Sequence, residues 1–278
     1  MTKQIIANSL KLKDKQRYYS TLILPKKQQQ AVQALYAFNA EISAISHLVK
    51  EPQMGEIRLT YWRDILENKA HGDIEKNPIA NAVISVLTKY NMPSLPLIRL
   101  IEARRFDLYN DKMPSMAQFE GYAGETSSIL FQYGAMILND GQELKSGDVA
   151  GHLGVAQALI GHILAFEFNH SQQKLYLPLE HFNKASISEA ELFGKEKIDE
   201  VGAVLFELLE VAQQHLDKAS LAIEKLEQNI RPAFASIIIL NKQVKAIRKM
   251  GLKPFNSIKK LPEWQIIWHL ALWTLKNG

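Results

Sequence analysis

Residues 31–48, AVQALYAFNAEISAISHL, constrain this chain more than any other stretch. Ala31, Leu35, Phe38, Ile42 and Ile45 recur every three to four positions, the period of one helix face. A helix with that face must be buried against others. Asn39, Glu41, Ser43, Ser46 and His47 lie among the apolar residues. A polar group taken out of water needs a partner or a wet cavity. The pattern therefore points to a core helix with a polar notch.

The same period runs through the rest of the chain. Residues 14–24 read as a short amphipathic lead-in, and Pro25 suits the first turn of the long helix. Glu51-Pro52 breaks it. Residues 54–70 form a second helix, with Ile57, Tyr61, Ile65 and Trp62 expected inside. His71-Gly72-Asp73 reads as a loop. Asn77 is a cap and Pro78 a first-turn proline for a helix to Tyr90. Helices over 95–109 and 115–138 follow, then a turn at Asn139-Asp140-Gly141 and a helix over 149–168. Ser188, with Glu191 three residues on, forms a capping box within 186–193. Residues 196–227 carry Val201, Val204, Leu205, Leu208, Leu209, Ala212 and Leu216 along one side. After a break at Ile230-Arg231-Pro232 come helices over 233–250 and 263–276, joined by a linker over 251–262. No hairpin signal or repeat appears. The expected class is all-α, about ten helices, in a single domain over 1–278 with its core at 17–276.

Composition removes several functions. There is no cysteine, which excludes disulfides, thiolate metal sites and a cysteine nucleophile. The net charge of +4 is scattered, the mark of a solvated surface rather than of a nucleic-acid footprint. No apolar run reaches the ~18–20 residues of a membrane span, so no transmembrane segment is expected. The first residues lack a signal-peptide core, and cytoplasm is the default location. Residues 263–276 hold Trp264, Trp268 and Trp273. Their polar face is thin, which favours a buried closing helix over an interfacial one. Any peripheral membrane contact is tied to this helix.

Leu35-Tyr36-Ala37-Phe38, Arg58-Leu59-Thr60-Tyr61-Trp62-Arg63, Tyr122-Ala123-Gly124, Leu153-Gly154-Val155-Ala156-Gln157-Ala158-Leu159 and Lys174-Leu175-Tyr176-Leu177-Pro178 occur in an order that resembles the squalene/phytoene synthase family. The resemblance implies a helical bundle of the isoprenoid synthase type with a central cavity, in which two isoprenoid diphosphates are joined head to head. It also implies two aspartate-rich motifs, with carboxylates one helical turn apart sharing Mg²⁺ ions that grip diphosphate. Here the matching stretches are Ser43-Ala44-Ile45-Ser46-His47 and Ala165-Phe166-Glu167-Phe168-Asn169-His170-Ser171-Gln172-Gln173, neither with an aspartate.

That loss is similar to a degenerate branch of the family, which includes the mitochondrial complex I assembly factor 6 and bacterial relatives. The resemblance then implies a non-catalytic assembly factor for respiratory complex I, or an isoprenoid- or lipid-binding scaffold. Its partners would be complex I subunits or assembly intermediates, and an isoprenoid or lipid ligand. Its place would be the cytoplasm, peripheral at the inner membrane, or the mitochondrial matrix in a eukaryote. The alternative is an active head-to-head prenyltransferase with a remodelled site, using Mg²⁺. Glu41, Arg58, Arg63, Glu167 and Tyr176 would then carry catalysis. Tyr36, Asn39, Ser43, His47, Trp62, Tyr122, Gly124, Gln157, His162, Phe166, Asn169 and His170 are the candidate cavity residues. No cofactor and no metal site are expected otherwise; a transition-metal set of His162, Glu167 and His170 is the weaker thought. Arg58 and Arg63 have a plain reading too, as salt-bridge partners of Glu56 or Asp64.

Overall fold

The computed structural model describes residues 2–69, 76–144, 146–251, 253–256, 258 and 260–277, which contain helices and no strand. Helix α1 (Thr2–Lys13) and α2 (Lys15–Thr21) lead in, hinged at Asp14, whose carboxylate caps α2 by accepting from the Arg17 N–H. Only the second of these was legible as a lead-in. Helix α3 (Lys26–Leu48) starts after Pro25, and Ala31, Leu35, Phe38, Ile42 and Ile45 are all buried. Helix α4 (Pro52–Leu66) uses Pro52 in its first turn.

The inner face of α4 differs from expectation. Gly55, Leu59, Trp62, Ile65 and Leu66 are buried, whereas Ile57 and Tyr61 are 63% and 42% exposed. Gly55 sets the rotation. A Cβ there would stand 2.3 Å from a Leu108 methyl, so this side of α4 lies flat against its neighbour. The expected loop at His71-Gly72-Asp73 falls outside the described residues.

Helix α5 (Pro78–Lys89) is capped by Asn77, which accepts from the Ile79 and Ala80 N–H groups. Helix α6 (Leu95–Ala103) tightens into a 3₁₀ turn at Arg104–Leu108 instead of running on to Tyr109. Helix α7 (Met116–Ala123) and α8 (Ile129–Leu138) are one rod interrupted by a π-helical stretch, Gly124–Ser128. Gly141 closes the following turn at φ +90°, where a Cβ would meet the Tyr90 carbonyl oxygen at 2.2 Å.

Helix α9 (Gly147–Leu164) ends at Ala165, whose backbone leaves the helical region, and α10 (Phe166–Ser171) starts directly after it. Short helices α11 (Leu179–Lys184) and α12 (Glu189–Phe193) follow, the second with both halves of the Ser188–Glu191 capping box. Helix α13 (Ile198–Ile223) buries all seven expected apolar positions. Helix α14 (Ser236–Met250) and α15 (Glu263–Asn277) complete the bundle. α9 lies along α13, and α3 packs on α1, α5 and α8. α3 and α9 thus become the two central walls of the fold.

Candidate functional site

A cavity of about 500 Å³ lies between α3 and α9. Ala40, Ser43, Ala44 and His47 reach it from α3 at helical spacing i, i+3, i+4, i+7. Gln157, Ala158, Gly161 and His162 reach it from α9. The hinge at Asp14, the 3₁₀ turn, the π-helix and Tyr176 supply the remaining walls. The π-helix divides two spaces. Thr126 and Ser127 face this cavity, while Gly124, Glu125 and Ser128 face a second one of about 760 Å³. π-helical turns are rare and recur at functional sites. Here the turn is locked by α9, since a Cβ on Gly154 would lie 2.1 Å from Ser128 Oγ.

The cavity wall carries a closed polar ring. Arg104 Nη1 donates to Asp107 Oδ2 at 2.9 Å and to the Tyr122 hydroxyl at 2.7 Å, and that hydroxyl donates to Asp107 Oδ1 at 2.7 Å. Both oxygens of a carboxylate that is only 6% exposed are thereby engaged. Lys174 Nζ donates to the Asp107 backbone oxygen. Burial works against the Arg104 charge, but Tyr122 and Asp107 outweigh it and hold the guanidinium above its ordinary value. Burial, aided by Asp107, pushes the Tyr122 and Tyr176 hydroxyls up.

The two histidines are held neutral. Burial lowers His162 to about 4, with Arg104 lowering it further and Asp107 opposing. Its ring stacks on Tyr176 at 4.8 Å between centroids. His47 is lowered by burial and by Lys174, and meets the edge of Phe168 at 5.5 Å. At the mouth, Arg17 pairs with Asp14 at 2.9 Å and Lys13 with Glu41 at 2.6 Å.

The expected residues divide cleanly. Ser43, His47, Tyr122, Gln157, His162, Asn169 and Tyr176 line the cavity together. Tyr36, Asn39 and Trp62 are buried but do not line it; Trp62 packs edge-on against Phe38. Gly124 lines the second cavity instead. Phe166 turns into the core against Phe182 and Phe255, while Phe168 stays 52% exposed at the rim, so neither fills the space. Glu41 points away to Lys13 and Ser9.

Arg58 is exposed, and Arg63 pairs with Glu102 at 3.7 Å and Asp64 at 3.9 Å, so neither reaches the cavity. Glu167 is not on its wall. His170 is anchored to the Leu192 carbonyl at 2.9 Å and stacked on Phe193 at 5.3 Å, and it does not line the cavity that His162 lines. Among the described residues no three His, Cys, Asp or Glu side chains gather to hold a metal. Sequence reasoning missed Arg104, Asp107, Lys174, Asp14 and Arg17. The spacing Arg104-x-x-Asp107 was a visible signal; the Tyr122 that closes the ring comes from another helix.

The squalene/phytoene synthase family model matches residues 10–265. The chain belongs to the squalene/phytoene synthase family. Within that family it is similar to the NADH dehydrogenase (ubiquinone) complex I assembly factor 6 of Mus musculus, at 24% identity over 89% of this chain and 74% of that protein. It is also similar to the 15-cis-phytoene synthase of Synechococcus elongatus, at 22% identity over 93% of this chain and 88% of that one. Among solved structures, a dehydrosqualene synthase in complex with ligand superimposes with TM-score 0.82 at 18% identity, covering 100% of this chain and 97% of the other. Squalene synthase HpnC from Alicyclobacillus acidocaldarius gives 0.76 at 15%, covering 91% and 95%. Those likenesses establish the all-α isoprenoid synthase fold.

Proposed function

We propose that this chain uses the family's bundle without prenyl transfer, as an assembly factor for respiratory complex I or as an isoprenoid- or lipid-binding scaffold. One observation carries the reading. The facing turns of the cavity present Ser43 and His47 on one side and Ala165, Phe168 and Asn169 on the other, where Mg²⁺ would need paired carboxylates. The two acids on the wall, Asp14 and Asp107, are each engaged by an arginine. Metal ions supply most of the stabilisation when a diphosphate leaves, and this wall has no free oxygen set to hold them. The similarity to relatives named complex I assembly factor 6 supports the assembly role. On this reading the protein works in the cytoplasm, or in the mitochondrial matrix in a eukaryote.

The second reading is an active synthase with Mg²⁺ and a remodelled site, favoured by the open cavity and by the phytoene synthase relative. Calorimetry with farnesyl diphosphate, with and without Mg²⁺, separates the two. The scaffold reading expects no Mg²⁺-dependent binding and no squalene- or phytoene-like product. Metal-dependent binding with turnover would reject it. The assembly role is tested by deleting the protein in its own cells. Complex I accumulation should fall and should be restored by the wild-type chain.

A further inference from the structure

Helix α15 is apolar on two opposite sides. Ile266, Leu270 and Trp273 are buried in a small cluster with Tyr19, Ala235 and Ile239. Trp264, Ile267, Trp268, Leu272 and Leu275 face solvent, the two tryptophans 67% and 59% exposed. At 3.6 residues per turn these positions, with Ala271, form one continuous stripe on the side away from the core. So the helix is neither a wholly buried closing element nor a detached one. The inner side fixes it, and the outer side has no partner among the described residues.

The surroundings of the stripe select its occupant. The one acid of the helix, Glu263, is engaged by Lys15 at 2.6 Å and by the Tyr19 hydroxyl. Lys11 also acts on Glu263, more weakly than Lys15 does. Lys242 acts on His269 at the opposite edge. From Lys242 to Pro262 inclusive the sequence has seven Lys and Arg and no acid. Leu12, 81% exposed, shares a groove with Lys15, Lys260 and Glu263 beside the first turn of α15. A tryptophan-rich apolar stripe with cations on both edges suits the headgroup zone of an anionic bilayer, where indole rings sit at the interface and lysines meet lipid phosphates.

We propose that the outer face of α15 docks on an anionic membrane surface, burying Trp264, Ile267, Trp268, Leu272 and Leu275 at the headgroup boundary. The groove beside it, about 560 Å³, shares Lys13, Asp14, Gln16, Gly161, Leu164 and Ala165 with the central cavity. Docking therefore sets the lateral approach to that cavity next to lipid. The docking itself does not depend on what the cavity holds.

The test is flotation of the full chain with phosphatidylcholine vesicles, with and without phosphatidylglycerol. Wild type should float with the anionic vesicles, and salt should weaken the binding. The double variant Trp264→Ser with Trp268→Ser should bind at least about tenfold more weakly, with an unchanged melting transition because Ile266, Leu270 and Trp273 still hold the helix. Brominated acyl chains should quench wild-type tryptophan emission, a readout that needs no variant. Three results would overturn the proposal: no flotation of wild type, equal flotation of the double variant, or a wild-type dimer that ignores vesicles and is dissolved by the double variant. The last would assign the face to a second copy of the chain.

Discussion

Replacing Asp107 by alanine removes the one carboxylate that closes the ring with Arg104 and Tyr122. The loss can be worked from its surroundings. Arg104 is left 15% exposed with its counter-charge gone, and the Tyr122 hydroxyl loses its acceptor. Breaking a buried ion pair from one side costs about 3–5 kcal/mol. The ring borders a cavity of about 500 Å³, where water can partly replace the lost partner, so the lower end applies, about 3 kcal/mol. Asp107→Asn keeps an acceptor for Tyr122 and loses only the charge, for about 2 kcal/mol. Equilibrium urea unfolding at neutral pH reads this as a shift in midpoint at constant slope. Asp107→Asn combined with Arg104→Met should recover part of the loss, because no bare charge then remains. The same carboxylate favours the protonated form of His162, so its removal should lower that histidine further, a change visible in its ring proton shifts. A loss below ~1 kcal/mol for the alanine variant, or an upward move of His162, would refute the account of the ring.

Acidification should destabilise the chain through its partly buried histidines. His162 is neutral in both states above about 6.5; as pH falls from there to about 4 the unfolded chain takes up a proton that the folded one refuses, costing up to ~3 kcal/mol before levelling, and His162→Gln should flatten urea midpoints over that window. His152 and His215 face each other through Nδ1 atoms 3.0 Å apart between α9 and α13, a contact in which one ring donates and the other accepts. Burial, then His152, lowers His215, so a second proton should open this contact below its ordinary range, seen as faster amide exchange along α13 at acid pH and abolished in His215→Gln. Gly154→Ala should cost about 3 kcal/mol, since its Cβ would meet the Ser128 backbone at 2.6 Å. Gly161→Ala, with nothing within 4 Å, should be neutral or gain up to ~1 kcal/mol, and a thermal melt of the pair checks the contrast.

The fold was legible wherever one residue reports on one local rule. Asn77 and Ser188 mark helix starts because each side chain accepts from N–H groups two or three residues on. The α13 face reads out because every apolar residue on it points one way. α4 failed because it has two apolar stripes, and only contact with Leu108 decides which is inside. The π-helix and the break at Ala165 leave no mark in the sequence. One extra residue in a turn shifts the phase without changing composition, and no proline or glycine stands at 165. For the site, Ser43 and His47 on α3 and Gln157 and His162 on α9 line the cavity, whereas Tyr36 and Asn39, also on α3, are buried away from it. Glu41 and His170 were misplaced because their partners, Lys13 and the Leu192 carbonyl, lie in elements that a linear reading cannot bring together.

The charges around the cavity narrow what it can hold. Lys13 is answered by Glu41, Arg17 by Asp14 and Arg104 by Asp107. Lys174 alone among these donates to a neutral acceptor, the Asp107 backbone oxygen, and burial lowers its affinity for the proton. His47 and His162 add no charge near neutrality. A diphosphate carries several negative charges, and bringing it here without metal ions would set them against one uncompensated ammonium. Burying unpaired charge is among the most costly steps in a low-dielectric site. An amphiphile with a neutral or singly charged head leaves no such deficit. Its head would meet Ser43 and Gln157, whose buried Oε1 has no partner, and its chain would run along Ala44, Ala158 and Leu164. On this count of charges the cavity discriminates by head-group charge, so farnesol should bind more tightly than farnesyl diphosphate in magnesium-free buffer. The opposite order would mean that the arginines leave their acids to receive phosphate, and the ring at Asp107 would then be the part of the wall that moves.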